Sequence, residues 1–565
     1  MNPRIAGPPP LEGLRPPGPE SDAARSREEH RYERSCFARP SAAGECCRVC
    51  HGHASVAVAH ADGVNAGAVL TRPRRERKMA GGGHTKGLGK ARSGVCTMKY
   101  DTIITNGTVV NANASIKADV AIKGERIARV GKGLARAAGT DGARIIDAKG
   151  CYVIPGGIDV HVHLALPFCG TVSSDDYNTG SRAAARGGVT TMIDFAIPYG
   201  EETLQQAVDN WMAKSDGVSC IDFTFHVAVT KWDKHRKEMA KMVRQGLPTF
   251  KQFMIYEKEG WQADDRAIFG ALEQCRELGG MLLIHAESSR VLDELIARHH
   301  SRKEMKQYGA RLHAITRPNY IEAEAIQRAV KWAEVTGGRL YIVHMSTADG
   351  TDLIADAHRR GLKNVFAETC AQYLVLDDSL FAGKDGHLYA CCPQIKKKAD
   401  QQRLWKGIQA GTVCSISTDT CTFTRKQKAM WKGDWTRIPM GMPGLETLLP
   451  VVYTHGVLKK RLTMRQFVDK CCTAPARLMG LGDRKGAIKA GRDADIAILH
   501  PTKKIRVDHR KMETNADWSP YQGWSLAGFA RTTLSRGAVI VDNYKFCGRN
   551  GWGRFLPRKS AGKAS

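Results

Sequence analysis

No window of this 565-residue chain approaches the unbroken apolar length that spans a bilayer, and its start has no basic stretch followed by an apolar one that would direct secretion. These absences argue against an integral membrane protein and make the cytoplasm the expected compartment. Aromatics are not interleaved with the basic clusters Arg72 to Lys78 and Lys396 to Lys398, so no stacking groove for single-stranded nucleic acid is expected. The formal charge of +28 is spread along the chain. Residues 1–97 hold only 16 of the 85 Lys and Arg and 9 of the 57 Asp and Glu, so most of the excess reads as solvated surface. Disulfide spacing is also missing: the 17 cysteines are irregularly placed in a chain too long to need staples, which fits reduced thiols. Cys47-Arg48-Val49-Cys50-His51 has the spacing of a c-type haem attachment, but neither an export signal nor an apolar pocket accompanies it. It reads as a chance match, with metal binding by Cys46, Cys47, Cys50 and His53 as the alternative.

Residues 1–97 carry Pro-rich, Arg-rich and Gly-rich stretches without sustained apolar periodicity, so disorder is expected there. A start codon assigned too far upstream, or an Arg-rich transit segment, would account for such a prefix. From Met98 the alternation of Tyr-Asp-Thr-Ile-Ile-Thr-Asn-Gly-Thr-Val-Val announces strand, turn and strand. Beyond Tyr152, apolar strand-like runs alternate with helix-length stretches. The runs lie near 158–164, 190–195, 222–229, 249–255, 281–287, 340–346, 365–369 and 413–419. Eight such units predict a (β/α)8 TIM barrel over 156–480. Residues 464–481 read as a helix. Strand-rich stretches at 98–155 and 481–545 are expected to pair into a small β-sandwich, and 546–565 to form a basic C-terminal tail.

The chemistry lies in where metal-capable side chains fall on those runs. His161 and His163 alternate with valines at the end of the first, so both imidazoles face one side of the strand. Lys251 is in the fourth run, His285 ends the fifth, His344 lies near the end of the sixth and Asp419 ends the eighth. Taken singly, a histidine in an apolar run is more often a satisfied core residue, and Asp419 could cap a helix. Six such residues converging on the C-terminal rim of one barrel point to a metal centre. Four imidazoles and a carboxylate suit two divalent ions, with Zn2+ the first choice, if something bridges them. A neutral Lys251 amine could react with carbon dioxide to give a bridging carbamate.

The strings GGIDVHVHLALPFCGT (156–171), TFKQFMIY (249–256), LLIHAE (282–287), YIVHMS (341–346), STDTCTF (417–423) and NADWSPYQGW (515–524) resemble the hydantoinase and dihydropyrimidinase branch of the amidohydrolase superfamily. The resemblance spans nearly all of 98–545. It implies a metal-dependent enzyme that opens a small cyclic imide or ureide to an N-carbamoyl amino acid, and a homotetramer. It also implies that His161, His163 and Asp419 bind one metal, that His285 and His344 bind the other, and that carbamylated Lys251 bridges them. Asp419 would move the proton and Tyr256 would steady the oxyanion. The ring would be held by main chain at Cys392 and Met440, although Cys392-Pro393-Gln394 and Ile438-Pro439-Met440-Gly441 depart from the usual family strings, as does Thr418-Asp419-Thr420-Cys421. Leu164, Ala165 and Leu166 follow the histidine pair where a dihydroorotase needs a cation. Leu164, Leu166 and Phe168 suggest a pocket for apolar ring substituents. Allantoinase-like hydrolysis and a non-catalytic scaffold are the competing readings, and retention of all six candidate ligands disfavours the scaffold.

Overall fold

The computed structural model describes residues 99–136 and 142–561, so the expectations for 1–97, including the haem-like string and the cysteine–histidine alternative, lie outside the described residues. At its centre eight strands form one sheet in chain order: Gly157–Val162, Val189–Ala196, Asp222–Ala228, Thr249–Phe253, Met281–His285, Leu340–Ile342, Val365–Cys370 and Ser415–Ser417. Every neighbouring pair is parallel. This is the expected (β/α)8 barrel. Some strands stop earlier than their apolar runs. The sixth ends at Ile342 and the eighth at Ser417, because His344 (φ 39°) and Asp419 (φ 51°) turn into left-handed backbone and leave the ladder.

The intervening helices are amphipathic. In Asp265–Leu278 the Asp264 carboxylate caps the start by accepting from Ala267 N at 2.8 Å, Gly279 closes the end at φ 69°, and Ala267, Ile268, Ala271, Leu272 and Cys275 form the buried face. The helical stretch from Met464 is interrupted. Met464–Val468 and Ala474–Leu478 flank a wider π turn, Asp469–Thr473, just ahead of Pro475, which has no N–H to continue a regular ladder.

First and eighth strands meet without a regular ladder. Buried Asp159 spans the seam instead, accepting from Thr418 Oγ1 at 2.7 Å and Thr418 N at 3.2 Å, and His163 N donates to Thr420 O at 2.8 Å.

The two ends of the folded region combine as expected. In a seven-stranded sheet, Tyr152–Pro155 runs antiparallel to Ile496–Leu499, and Thr108–Val110 lies on one side with Ala530–Ser535 and Ala538–Asp542 on the other. Val109, Val120, Ile122, Val153, Ile496, Ile498 and Leu534 pack between it and a four-stranded sheet centred on Thr102–Thr105. Residues 515–524 belong to neither sheet. Their Trp518 Nε1 donates to Phe423 O at 2.8 Å, tying them to the barrel.

A buried ionic cluster fastens the barrel to these sheets. Lys485 donates to Asp222, the first residue of the third strand, at 2.6 Å, lies 3.2 Å from Asp493 and also pairs with Asp495. Arg536 Nε meets the other Asp222 oxygen at 2.9 Å. The three carboxylates lie close enough to hold a cation, and the lysine ammonium already fills that role. The segment expected as a basic tail is packed as far as it is described. Phe223 N donates to Arg554 O at 3.0 Å, Leu556 N to Phe223 O at 2.8 Å, and buried Arg558 donates to Thr249 Oγ1 at 2.6 Å at the bottom of the barrel.

Lys485→Met should leave the buried aspartates short of a cation and lower stability by about 3–5 kcal/mol. Thermal unfolding checks this, and an unchanged midpoint would show that the cluster is not a fastening.

Candidate metal centre and ring-binding cavity

All nine residues singled out in the sequence, His161, His163, Lys251, Tyr256, His285, His344, Cys392, Asp419 and Met440, line one cavity at the C-terminal mouth of the barrel. Asp419 Oδ1 lies 3.2 Å from His161 Nε2 and 3.4 Å from His163 Nε2. Across the cavity the His285 and His344 rings are 4.4 Å apart, and His344 is 5.1 Å from the His161 ring. Lys251, from the middle of the fourth strand, reaches the floor between Phe195 and Phe253, with Nζ 5.1 and 5.0 Å from their ring centres.

Three of these residues, Tyr256 (φ 72°), His344 and Asp419, have left-handed backbone. In non-glycine residues this costs on the order of 1–3 kcal/mol each and survives only where the surroundings impose it. His344 N is held by Glu368 Oε1 at 3.2 Å, and Trp261 N caps the Tyr256 carbonyl at 3.1 Å.

Burial dominates the electrostatics. It keeps the imidazoles of His161, His344 and His285 neutral, the form that binds metals. It also brings the Lys251 ammonium down to about 7, against the pull of Asp419 and Glu368. Burial raises the Tyr256 phenol far above its usual range and so keeps it a hydrogen-bond donor.

Sequence reasoning missed the partners behind these side chains. Glu368, in the seventh strand, meets His161 Nδ1 at 2.5 Å, leaving Nε2 turned toward Asp419. Tyr341 Oη donates to its other oxygen at 3.0 Å. Glu287 accepts from His285 Nε2 at 2.8 Å, so the Nδ1 edge of that ring remains for a metal. Burial would raise the Glu287 carboxyl, but His285 and the Arg317 guanidinium hold it at about 2. A carboxylate inside each apolar run was the available signal. The apolar wall comprises Leu166, Phe168, Ile197, Phe253 and Trp261, with Phe168 stacked on Trp261 at 5.6 Å. Leu164, expected in that wall, is instead fully buried against Gly180.

The donor set fits divalent metal. Four imidazoles, one carboxylate and a lysine amine converge, and among the described residues the buried Nδ1 atoms of His163 and His344 have no hydrogen-bond partner.

The amidohydrolase family model matches residues 152–519, and the model for the urease alpha-subunit N-terminal domain matches residues 70–147. A D-hydantoinase from Geobacillus stearothermophilus is 38% identical over 465 residues, 81% of this chain and 97% of that protein. A D-phenylhydantoinase of Escherichia coli is 36% identical over 466 residues, 81% and 98% of the two chains. The crystal structure of a dihydropyrimidinase from Brevibacillus agri superposes with a TM-score of 0.78 at 38% identity, covering 81% of this chain and 99% of that one.

Glu368→Gln should loosen the orientation of His161 and weaken divalent-metal affinity roughly 10–100-fold. Competition with a chromogenic chelator measures it, and unaltered affinity would remove Glu368 from that role.

Proposed function

The chain belongs to the hydantoinase and dihydropyrimidinase family of the amidohydrolase superfamily, whose members are cyclic amidohydrolases built around a binuclear divalent metal site, and from that premise we propose that it opens hydantoin or dihydropyrimidine rings to N-carbamoyl amino acids. The observation that carries this reading is the convergence of six donor side chains on a cavity that aromatic side chains also line.

His161, His163 and Asp419 would hold one zinc ion, His285 and His344 the other, and a carbamate on Lys251 would join them. Two such ions, when bound, would supply a hydroxide at neutral pH and polarise the ring carbonyl. Asp419, with one oxygen beside both histidines, takes the proton released in the attack and returns it to the departing ring nitrogen. The protonated Tyr256 phenol donates to the tetrahedral oxyanion. Main chain at Cys392 and Met440 grips the ring imide, and Phe168, Phe253 and Trp261 receive its substituent. That wall favours apolar substituents over the ureido group of allantoin. A tetramer follows from the family resemblance. A cytoplasmic site is supported by the twelve described cysteines, none of which is in a disulfide.

A substrate panel tests the reading. Hydantoin, dihydrouracil and 5-phenylhydantoin should turn over, and allantoin much more slowly. Allantoin as the best substrate would overturn the assignment of the apolar wall.

Because carbamate forms from the neutral amine and burial sets Lys251 near 7, reactivation of metal-free enzyme by zinc at a fixed concentration of dissolved carbon dioxide should speed up from pH 6 to 8 and then level off. Lys251→Ala should lose metal and activity together and regain part of both with short carboxylic acids. Two-metal occupancy in that variant would sink the bridge.

Asp419→Asn keeps the size and one acceptor oxygen but cannot take a proton. At matched metal content its kcat should fall by roughly 10²–10⁴. Wild-type turnover would show that the proton travels by another route.

A further inference from the structure

A short helix, Arg425–Lys428, follows the eighth strand, capped by Thr424 and Gln427 in a reciprocal pair. Its last two residues reach opposite ways. Gln427 Nε2 donates to Thr171 Oγ1 at 2.9 Å and Val172 O at 2.7 Å, on the hairpin that carries Phe168. Lys428 is fully buried, and its Nζ donates to Ala390 O at 2.8 Å. The same carbonyl accepts from Gly441 N at 2.9 Å. Ala390 lies two residues before Cys392 and Gly441 directly after Met440, so one oxygen joins the two segments assigned above to the ring imide. Gly441 has no slack on its other side, since a Cβ there would sit 2.2 Å from Cys421 O.

Lys428 is costly to bury. The titratable groups acting on it include the thiols of Cys391, Cys421, Cys169 and Cys392 and the imidazoles of His313 and His387, and among the described residues it pairs with no carboxylate. Burial takes its ammonium down to about 8, and the Phe423 ring, 5.9 Å away, offers modest compensation. An apolar side chain of equal length would avoid the desolvation penalty of an ammonium, so packing alone does not account for a lysine here. Lys428 itself does not line the cavity. Whatever it does for the substrate, it does through Ala390 and Gly441.

We propose that Lys428 is a positioning residue for substrate recognition: by holding the Ala390 carbonyl it sets the spacing between the Cys392 and Met440–Gly441 main chains, and hence the slot that grips the ring. This rests on the proposed ring-opening activity. With Gln427 holding the Phe168 hairpin, the helix ties the imide-binding side of the cavity to its apolar wall.

The test uses the two-metal enzyme with hydantoin and dihydrouracil. Lys428→Met removes the donor and the charge with a side chain one atom shorter, whereas Lys428→Gln, of the same reach as methionine, keeps a donor. For the methionine variant KM should rise roughly tenfold or more, as for the loss of a charge-assisted hydrogen bond, with kcat falling far less. Its zinc content should be unchanged and its melting temperature equal to or above that of the parent, and Lys428→Gln should recover part of the KM. An unchanged KM in Lys428→Met overturns the proposal, and so does an equal rise in both variants with lowered melting temperatures, which would make the lysine merely structural. If the unmodified enzyme opens neither ring, the functional reading fails. The clamp is then judged from a crystal structure of Lys428→Met, where an Ala390 O to Gly441 N distance still near 2.9 Å overturns it.

Discussion

Desolvation at the mouth of the barrel is the constraint on which the rest of this molecule depends. Four imidazoles, a lysine amine and several carboxyl groups share a volume almost closed to water, and charged forms there are penalised unless paired. Neutral histidines and a lysine near neutrality are the result, and they are the forms that can bind metals or react with carbon dioxide. The same penalty accounts for the outer ring of partners. Glu368 and Glu287 each take one edge of a histidine and leave the other edge for the cavity.

Holding that ring of donors requires a rigid frame. The left-handed residues at the strand ends store strain that only a closed barrel can sustain. Closure in turn depends on Asp159 bridging the seam between first and eighth strands. At the opposite end the frame is finished by parts distant in sequence: the Lys485 and Arg536 ion pairs to Asp222, and the C-terminal segment inserted under the barrel. Catalytic geometry at the top and fastening at the bottom are therefore separated by the length of the strands, so loops at the mouth can vary without loosening the base.

In the proposed reading the loops divide the work of recognition. Phe168 and Trp261 stack to form an apolar face, while main chain near Cys392 and Met440 would form a polar one. The helix bearing Gln427 and Lys428 touches the supports of both.

Much of this was legible in the order of residues alone. Apolar runs alternating with helix-length stretches announce a parallel barrel because strand burial and helix amphipathicity are local, periodic properties. The His-x-His pair, Lys251, His285, His344 and Asp419 announce a metal rim because a parallel barrel brings all its strand ends to one face. What stayed hidden depends on contacts across long separations. Leu164 reads as a wall residue beside Leu166, yet the turn after His163 sends it into the core against Gly180. Basic residues near the C-terminus read as a solvated tail, yet Arg558 finds carbonyl and hydroxyl acceptors under the barrel. Glu368 behind His161, and Lys428 beneath Ala390, likewise gain their roles only from neighbours supplied by other strands and loops. Periodicity and residue chemistry determined the barrel and the donors. Tertiary packing alone decided which edge of each donor faces the cavity and which distant group holds it there, because hydrogen-bond geometry is set between segments that have no relation in sequence.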